Sequence, residues 1–429
     1  MKKLLVVLLM GAFLLGSAQG LVFAEAVGVT EPVTITFWHA RGSSVDAEWL
    51  EKSINEFNAT NNLGITVEGV YQGYFSDVQS KTLAAIAAGD PPVLAEISCT
   101  AIPLLATQDL LVDLSPYVQR DGFELSNIVE AVSDYMYYNG QIVTMPYTRG
   151  TAIMYYNKDM YAEVGLDRAP ATLEELNHYA KLIYENSNGT VKGVGYTIEA
   201  NYYQHYLVQS LNGVGILDAD GNGASCLEDG SLLRFLSDWY EWTEEGWCAI
   251  PALSSASSVV QENFNNGSLA AFVSSSNRAT TILNNAKANG IDLGMSYTVG
   301  YGGYSAPIGG GSLGIISRDN SDLEIAAAWE FIKFLMTDAQ VAGNHVATGV
   351  LPVTYSSIET DVIQECWAEN EGYRISYEQL DFASEIAFSP HVSEWSSIVK
   401  SAMSQLIQGR NITPEEVVEN LKAEAALVF

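Results

Sequence analysis

Hydrophobic and polar positions follow two periods along this chain, and the periods alternate. Val33 to Trp38 is an apolar-rich run with a strand's alternation, followed by polar His39-Ala40-Arg41-Gly42. A helical period then runs from Val45 to Asn58, with Trp49, Ile54 and Phe57 facing inward. Ile65 to Val70 predicts a second strand and Ser76 to Ala88 a second helix, closed by Gly89-Asp90-Pro91-Pro92. Val93 to Ile97 predicts a third strand, whose end, Ser98-Cys99-Thr100, opens another helix. This β-α-β-α-β order implies a mostly parallel sheet covered on both faces.

A second unit of the same kind starts after residue 150. Thr172 to Asn186 predicts a helix with Thr172 as N-cap and Glu175 completing a capping box. Val194 to Ile198 is the next strand, followed by helices at Gln204 to Leu211, Ser231 to Glu244 and Val259 to Asn265, then a short strand at Ala270 to Val273. Later helices are predicted at Leu323 to Met336 and after Thr413-Pro414, where proline takes the first helical position.

Thr144 to Asp167 joins the two units. A polar turn, Pro146 to Thr151, runs into β-prone Ala152 to Tyr156, and a short helix from Met160 to Val164 ends at Gly165. A strand that leaves one domain and enters another makes a hinge, and its polar residues face the cleft between the domains. In such sheets ligands sit at the carboxyl ends of strands. That rule selects Trp38, His39, Tyr74, Phe75, Glu96, Ser98 and Thr100 from the first unit. It selects Tyr202, Ser275 and Asn277 from the second and Tyr147 from the hinge, where Arg149 is among the polar residues that face the cleft.

A length of 429 residues implies two or three domains. The net charge of −31 disfavours nucleic acid and anionic lipid as partners. Lys2-Lys3, the apolar run Leu4 to Leu15 and small residues before position 25 make Met1 to Ala24 a signal peptide. No cysteine lies at the cleavage site, so the mature protein is expected unlipidated in the periplasm. Cys226 and Cys248 flank a helix about 20 Å long, so a disulfide between them requires the chain to fold back, and free buried thiols are the alternative to any bridge. No cysteine spacing resembles a redox or zinc pattern.

Chemistry for catalysis is thin. None of the five histidines, His39, His178, His205, His345 and His391, pairs at i, i+3 or i+4, so no metal motif is present. Asp218 to Asp229 has the acidic spacing of a calcium loop, but Ser225 and Asp229 depart from the pattern, and D-x-D-G-N-G is also an ordinary turn. Gly309 to Gly314 matches G-x-G-x-x-G by letter, and Gly310 to Gly314 matches G-x-S-x-G. Both need a helix next, whereas Leu313 to Ile316 is β-prone. The run instead reads as backbone that lets a ligand or the opposing domain approach closely. The 8 Trp and 23 Tyr suit a sugar, whose C–H faces stack on aromatic rings while its hydroxyls take polar side chains.

Four stretches, in order, resemble the extracellular solute-binding proteins of ABC importers: ITFWHA at Ile35, TAIMYYNKDMYAEVGLD at Thr151, PIGGGSLGII at Pro307 and TGVLPVT at Thr348. The fit is best to the branch holding glycerol-3-phosphate-binding and sugar-binding proteins. The resemblance implies a type II periplasmic-binding-protein fold: two discontinuous α/β domains hinged about a ligand cleft. It also implies docking on a membrane permease, with no cofactor. By its motifs Gly309 and Gly310 keep the family's glycine pair. Arg149-Gly150 replaces a serine pair, Val350 replaces a tyrosine, Cys99 replaces an acid, and Phe75 (or Tyr74) stands for another tyrosine. Phe388 to Trp395 lacks the arginine that holds phosphate in that branch. His391 lies in this stretch, and Trp395 resembles the stacking tryptophan of maltose-binding relatives.

The sequence thus predicts a first lobe of residues 30–147 and 307–348 and a second of 148–306 and 349–429. The expected protein is a monomeric carrier that binds a carbohydrate and delivers it to an ABC permease. Glycerol-3-phosphate or a glycerophosphodiester is the alternative ligand, and a periplasmic hydrolase on this scaffold is the alternative activity.

Overall fold

The computed structural model describes residues 26–42, 44–198, 202–251, 256–409 and 411–429. The expected signal peptide lies outside the described residues. Strand β1 (Val33–His39) buries Ile35, Phe37 and His39 on alternate positions. Helix α1 (Ser44–Thr60), strand β2 (Ile65–Tyr71), helix α2 (Phe75–Ala88) and strand β3 (Leu94–Ser98) follow. Helix α2 stops at Gly89, whose φ of 75° is a left-handed cap that favours glycine. Both β2 and β3 pair with β1 in parallel, as the sequence order requires.

Strand β4 (Met145–Asn157) has 13 residues and is buried along nearly its whole length, because it runs from one lobe into the other. Beyond it come helix α3 (Leu173–Asn186), strand β5 (Val194–Gly195) and helices α4 (Tyr202–Asn212) and α5 (Ser231–Glu244). Thr172 caps α3 by accepting from the Glu175 N–H. The reverse half of the expected capping box is absent, because the Glu175 carboxylate binds Arg168 and the Ala171 N–H. Strands β6 (Cys248–Ala249), β7 (Ala271–Ser275) and β8 (Leu293–Ser296) complete the second lobe's sheet. Strand β9 (Ala306–Ile315) then returns the chain to the first lobe and leads into helices α6 (Asp322–Leu335) and α7 (Asp338–Thr348). Strand β10 (Ala383–Ser384) precedes the terminal helices α8 (Val392–Ile407) and α9 (Pro414–Val428).

Among the described residues these strands form one ten-stranded sheet through both lobes, in the order β2-β1-β3-β9-β4-β7-β5-β6, with β8 on β4 and β10 on β9. The outer pairings are parallel. The central ones are antiparallel, so the sheet is mixed. The cause is connectivity: β4 leaves the first lobe and β9 re-enters it, so the two must run in opposite directions.

Two large apolar cores sit one per lobe. The first joins Ile35, Phe37 and Phe57 to Trp329, Phe331 and Ile332. The second joins Leu173, Phe235, Trp239, Trp242 and Trp247 to Trp395, Val399 and Leu421. Packing does not follow the lobe boundary expected after residue 348. Leu351, Val353, Ile358 and Leu380 belong to the first core, and the second resumes only at Ile386. The four cysteines are free and buried. No helix among the described residues is long and apolar enough to cross a membrane.

Candidate functional site

Sheet register strings several of the expected residues into one row across the hinge. Ser98 at the end of β3 lies opposite Gly311 of β9, and Gly311 lies opposite Thr148 of β4. Gly310 pairs with Arg149, Gly309 with Gly150, and Ala152 with Ser275. Directly opposed residues project to the same face, so Ser98, Gly311 and Thr148 share one side of the sheet. Phe75 lies on that side: a Cβ added at Gly311 would come within 2.7 Å of its ring and 2.8 Å of the Thr148 hydroxyl. Thr148 Oγ1 donates to Glu96 Oε1 at 2.6 Å, and the Ala40 N–H donates to Glu96 Oε2 at 3.0 Å. Glu96 thereby ties the ends of β1 and β3 to the hinge. Asn277 closes the row from the second lobe, donating through Nδ2 to the Thr148 carbonyl at 3.0 Å. Ser275 accepts from the Asn277 N–H at 3.2 Å and so fixes that turn.

The glycines of this row permit the close approach. Gly310 has φ of 92°, and a Cβ there would sit 2.1 Å from the Thr148 carbonyl oxygen. The register slips between Gly311 and Ser312, a bulge that leaves Tyr147 as the extra residue. Tyr147 is buried in the first-lobe core with the Arg41 guanidinium 5.9 Å from its ring centre. Its hydroxyl is buried without a hydrogen-bond partner among the described residues, and burial raises its pKa.

Arg149 follows Thr148 and so projects to the opposite face of β4. There a cavity of about 430 Å³ opens between the lobes. Asp134 and Tyr135 line it from the first lobe, Gln209, Gly213, Val214 and Ala219 from the second, and Glu385 to Phe388 from the last crossing. Arg149, fully buried, stands behind that lining, ion-paired with Glu385 and 5.7 Å from the Tyr135 ring centre. The Tyr135 hydroxyl donates to the Ile386 carbonyl at 2.7 Å, and Phe388 stacks on Tyr138. His205 is buried nearby, and loss of water around its ring lowers its pKa to about 4.

Other expected residues lie elsewhere. Trp38 is half-buried in β1, and Tyr74, which precedes α2, is 79% exposed. His39 is buried against Phe37, and burial followed by Arg41 lowers its pKa to about 4. Thr100 lies beside the row, its hydroxyl bonded to that of Ser98 at 3.2 Å. Tyr202 opens α4, but its side chain lies outside the described residues. Val350 is 1% exposed, and its carbonyl accepts from His345 Nδ1, so it packs in the hinge. His391 packs edge-on to Phe429 beside the N-terminus of α8.

Trp395 corrects the expectation of a stacking platform. Its side chain is 0% exposed and part of the second-lobe core, and its Nε1–H donates to the Ile216 carbonyl at 2.7 Å. It sits one turn into α8, on the face that α8 turns to its own lobe.

Sequence reasoning missed Tyr135, Gln209 and Glu385. Tyr135 and Glu385 flank the hinge in short, irregular segments without a readable period. Arg41 was within reach of the strand-end rule, two residues beyond β1. It bonds Asn344 at 3.0 Å and holds α7 against the site.

The family model for bacterial extracellular solute-binding proteins matches residues 52–371. The chain belongs to this family. It is 26% identical over 384 residues to the sn-glycerol-3-phosphate-binding periplasmic protein UgpB of Salmonella typhimurium, covering 85% of this chain and 84% of that one. It is 24% identical over 372 residues to the protein of the same name from Pectobacterium atrosepticum. Among solved structures, UgpB of Mycobacterium tuberculosis in complex with glycerophosphocholine superposes with a TM-score of 0.79 at 19% identity, over 93% of this chain and 98% of that one. The GacH receptor of Streptomyces glaucescens, solved unliganded and with acarbose, gives 0.80 at 17% identity, over 93% and 99%. At such identities these likenesses show a shared fold, that of a two-lobed solute-binding protein.

Proposed function

We propose that this solute-binding protein captures a neutral carbohydrate between its lobes and hands it to the permease of an ABC importer. One observation carries the choice of a neutral ligand: the arginine behind the interlobe cavity, Arg149, already has a carboxylate partner in Glu385. Tyr135, Gln209 and the aromatic Phe388 suit a polyhydroxylated ring. Bound ligand touching both lobes favours the closed form, and the permease reads closure. The protein works as a monomer in the periplasm after cleavage of its signal peptide, and it releases its ligand unchanged. We place the first lobe at residues 30–147 and 307–382, and the second at 148–306 and 385–429.

A thermal-shift screen of sugars and glycerol phosphates tests this reading. A ligand at a hundred times its Kd adds about 2.7 kcal/mol of stability. A sugar hit, recovered intact, supports it; recovery of a hydrolysed product would make the protein an enzyme. The second reading, a glycerol phosphate or its diester, is favoured by the names of the relatives above. A screen in which only those compounds shift the melting temperature selects it.

A further inference from the structure

Arg149 and Glu385 form an ion pair in the cavity wall, with the guanidinium 0% and the carboxylate 4% exposed. Glu385 and Tyr135 face the cavity, and Arg149 lies behind both. A guanidinium keeps its proton in any protein setting, so its burial requires an anion beside it. Glu385 is fixed there by the backbone: the two residues before it pair with Ala306 and Pro307 of β9. Burial first, and then the neighbouring Asp134, push the Glu385 pKa up, and the ion pair with the permanently charged Arg149 opposes both. Asp134 adds a second carboxyl to the same lining. An anion entering the cavity therefore meets like charge first, and finds the cation behind it already occupied.

We propose that Glu385 sets the charge class of the ligand: its carboxylate holds Arg149 in the place an anionic ligand would take, and its removal turns the cavity into a phosphate site. The inference rests on the neutral-ligand reading above. Arginine's fork of donors matches a phosphate's oxygens as well as it matches a carboxylate's. Shortening Glu385 would open a path from the cavity to that fork. Glu385 is thus a specificity-determining residue, and Arg149 is a latent anion site within a chain of net charge −31.

The test titrates wild type, Glu385→Ala, Glu385→Gln and the double variant Arg149→Met/Glu385→Ala with inorganic phosphate and with sn-glycerol 3-phosphate in a calorimeter. Glu385→Ala is expected to bind either anion at least about tenfold more tightly than wild type, and the double variant to lose the gain. Glu385→Gln, which removes the charge but keeps the volume, should gain less. If Glu385→Ala unfolds in chloride buffer, recovery in phosphate at equal ionic strength that the double variant does not share supports the proposal, since phosphate also stabilises folded proteins without a site. Absence of any anion gain in folded Glu385→Ala, or in Glu385→Gln where Glu385→Ala recovers in neither buffer, overturns it. A gain that survives Arg149→Met also overturns it. A wild type that binds a sugar while no variant gains an anion defeats this inference alone. A variant that gains phosphate while wild type binds no sugar of the panel defeats only the carbohydrate reading. Tight binding of sn-glycerol 3-phosphate by wild type defeats both.

Discussion

The Ser393 hydroxyl donates to the Thr100 carbonyl at 2.8 Å, a hydrogen bond from the second lobe to the first. Ser393 is in the first turn of α8, and Thr100 follows β3. The bond exists only while the lobes are close together. Ser393→Ala should therefore shift the unliganded protein toward an open form and weaken ligand binding. One such bond is worth about 0.5–1.5 kcal/mol, or about a 2- to 10-fold rise in Kd. Small-angle scattering of the apo protein and calorimetry with the best ligand of the screen measure the two effects. Unchanged values in both would show that the bond does not hold the lobes.

Trp395→Ala should cost stability, because the indole fills the second-lobe core. Truncation of a buried tryptophan costs about 3–5 kcal/mol. Trp395→Phe keeps most of the volume but loses the donor to Ile216, so it should cost less, about 1–3 kcal/mol for the buried carbonyl left unpaired. Urea midpoints of the two variants check the order. An alanine variant as stable as wild type would place the ring outside the core.

His345 makes folding sensitive to acid. Its Nδ1–H donates to the Val350 carbonyl at 2.6 Å, and its Nε2 accepts from Trp367 at 2.8 Å, so the ring is held neutral. Burial lowers its pKa to about 4. Unfolded, the ring titrates near 6.5 and binds the proton more readily. Its stabilising contribution is thus complete above about pH 6.5 and falls as the pH drops toward 4. His345→Gln should flatten the stability profile over that window relative to wild type. Urea unfolding at pH 7 and at pH 4.5 reads the difference, and parallel profiles would remove His345 from the cause.

Gly310→Ala should disrupt the hinge. Its φ of 92° favours glycine, and the added Cβ would meet the Thr148 carbonyl, a backbone atom with no room to move. A left-handed conformation at a non-glycine residue costs about 1–3 kcal/mol before the clash is added. A melting temperature matching wild type would show that β4 and β9 can separate locally without loss.

Local pattern in the sequence carries the first lobe well. Alternation in Val33 to Trp38 and helical period in Val45 to Asn58 match β1 and α1 to within a few residues, because burial on one face dictates both. Ser98, Arg149, Ser275 and Gly310 also lie in or beside one row, since strand ends and hinge glycines leave local signatures. Glu385 and Trp395 show the limit. Glu385 gains its meaning from Arg149, more than two hundred residues earlier, and a two-residue strand leaves no period to read. Trp395 at a helix start has two faces to choose from, and the choice depends on the Ile216 carbonyl, which no local pattern locates. The same holds for the lobe boundary: Leu351 and Val353 pack in the first core, and the Leu351 N–H donates to the Arg149 carbonyl at 2.8 Å, contacts with residues far away in sequence.

The second core draws its indoles from two distant stretches, Trp239, Trp242 and Trp247 in one and Trp395 in the other, with most of a lobe's worth of chain between them. A ribosome makes the first three long before the fourth. Throughout that interval the emerging polypeptide can complete its first lobe but carries the second as an unclosed shell with its tryptophans uncovered. Contacts this remote in sequence form late. A nascent chain halted before α8 would be a natural client for a holding chaperone and an easy target for a protease.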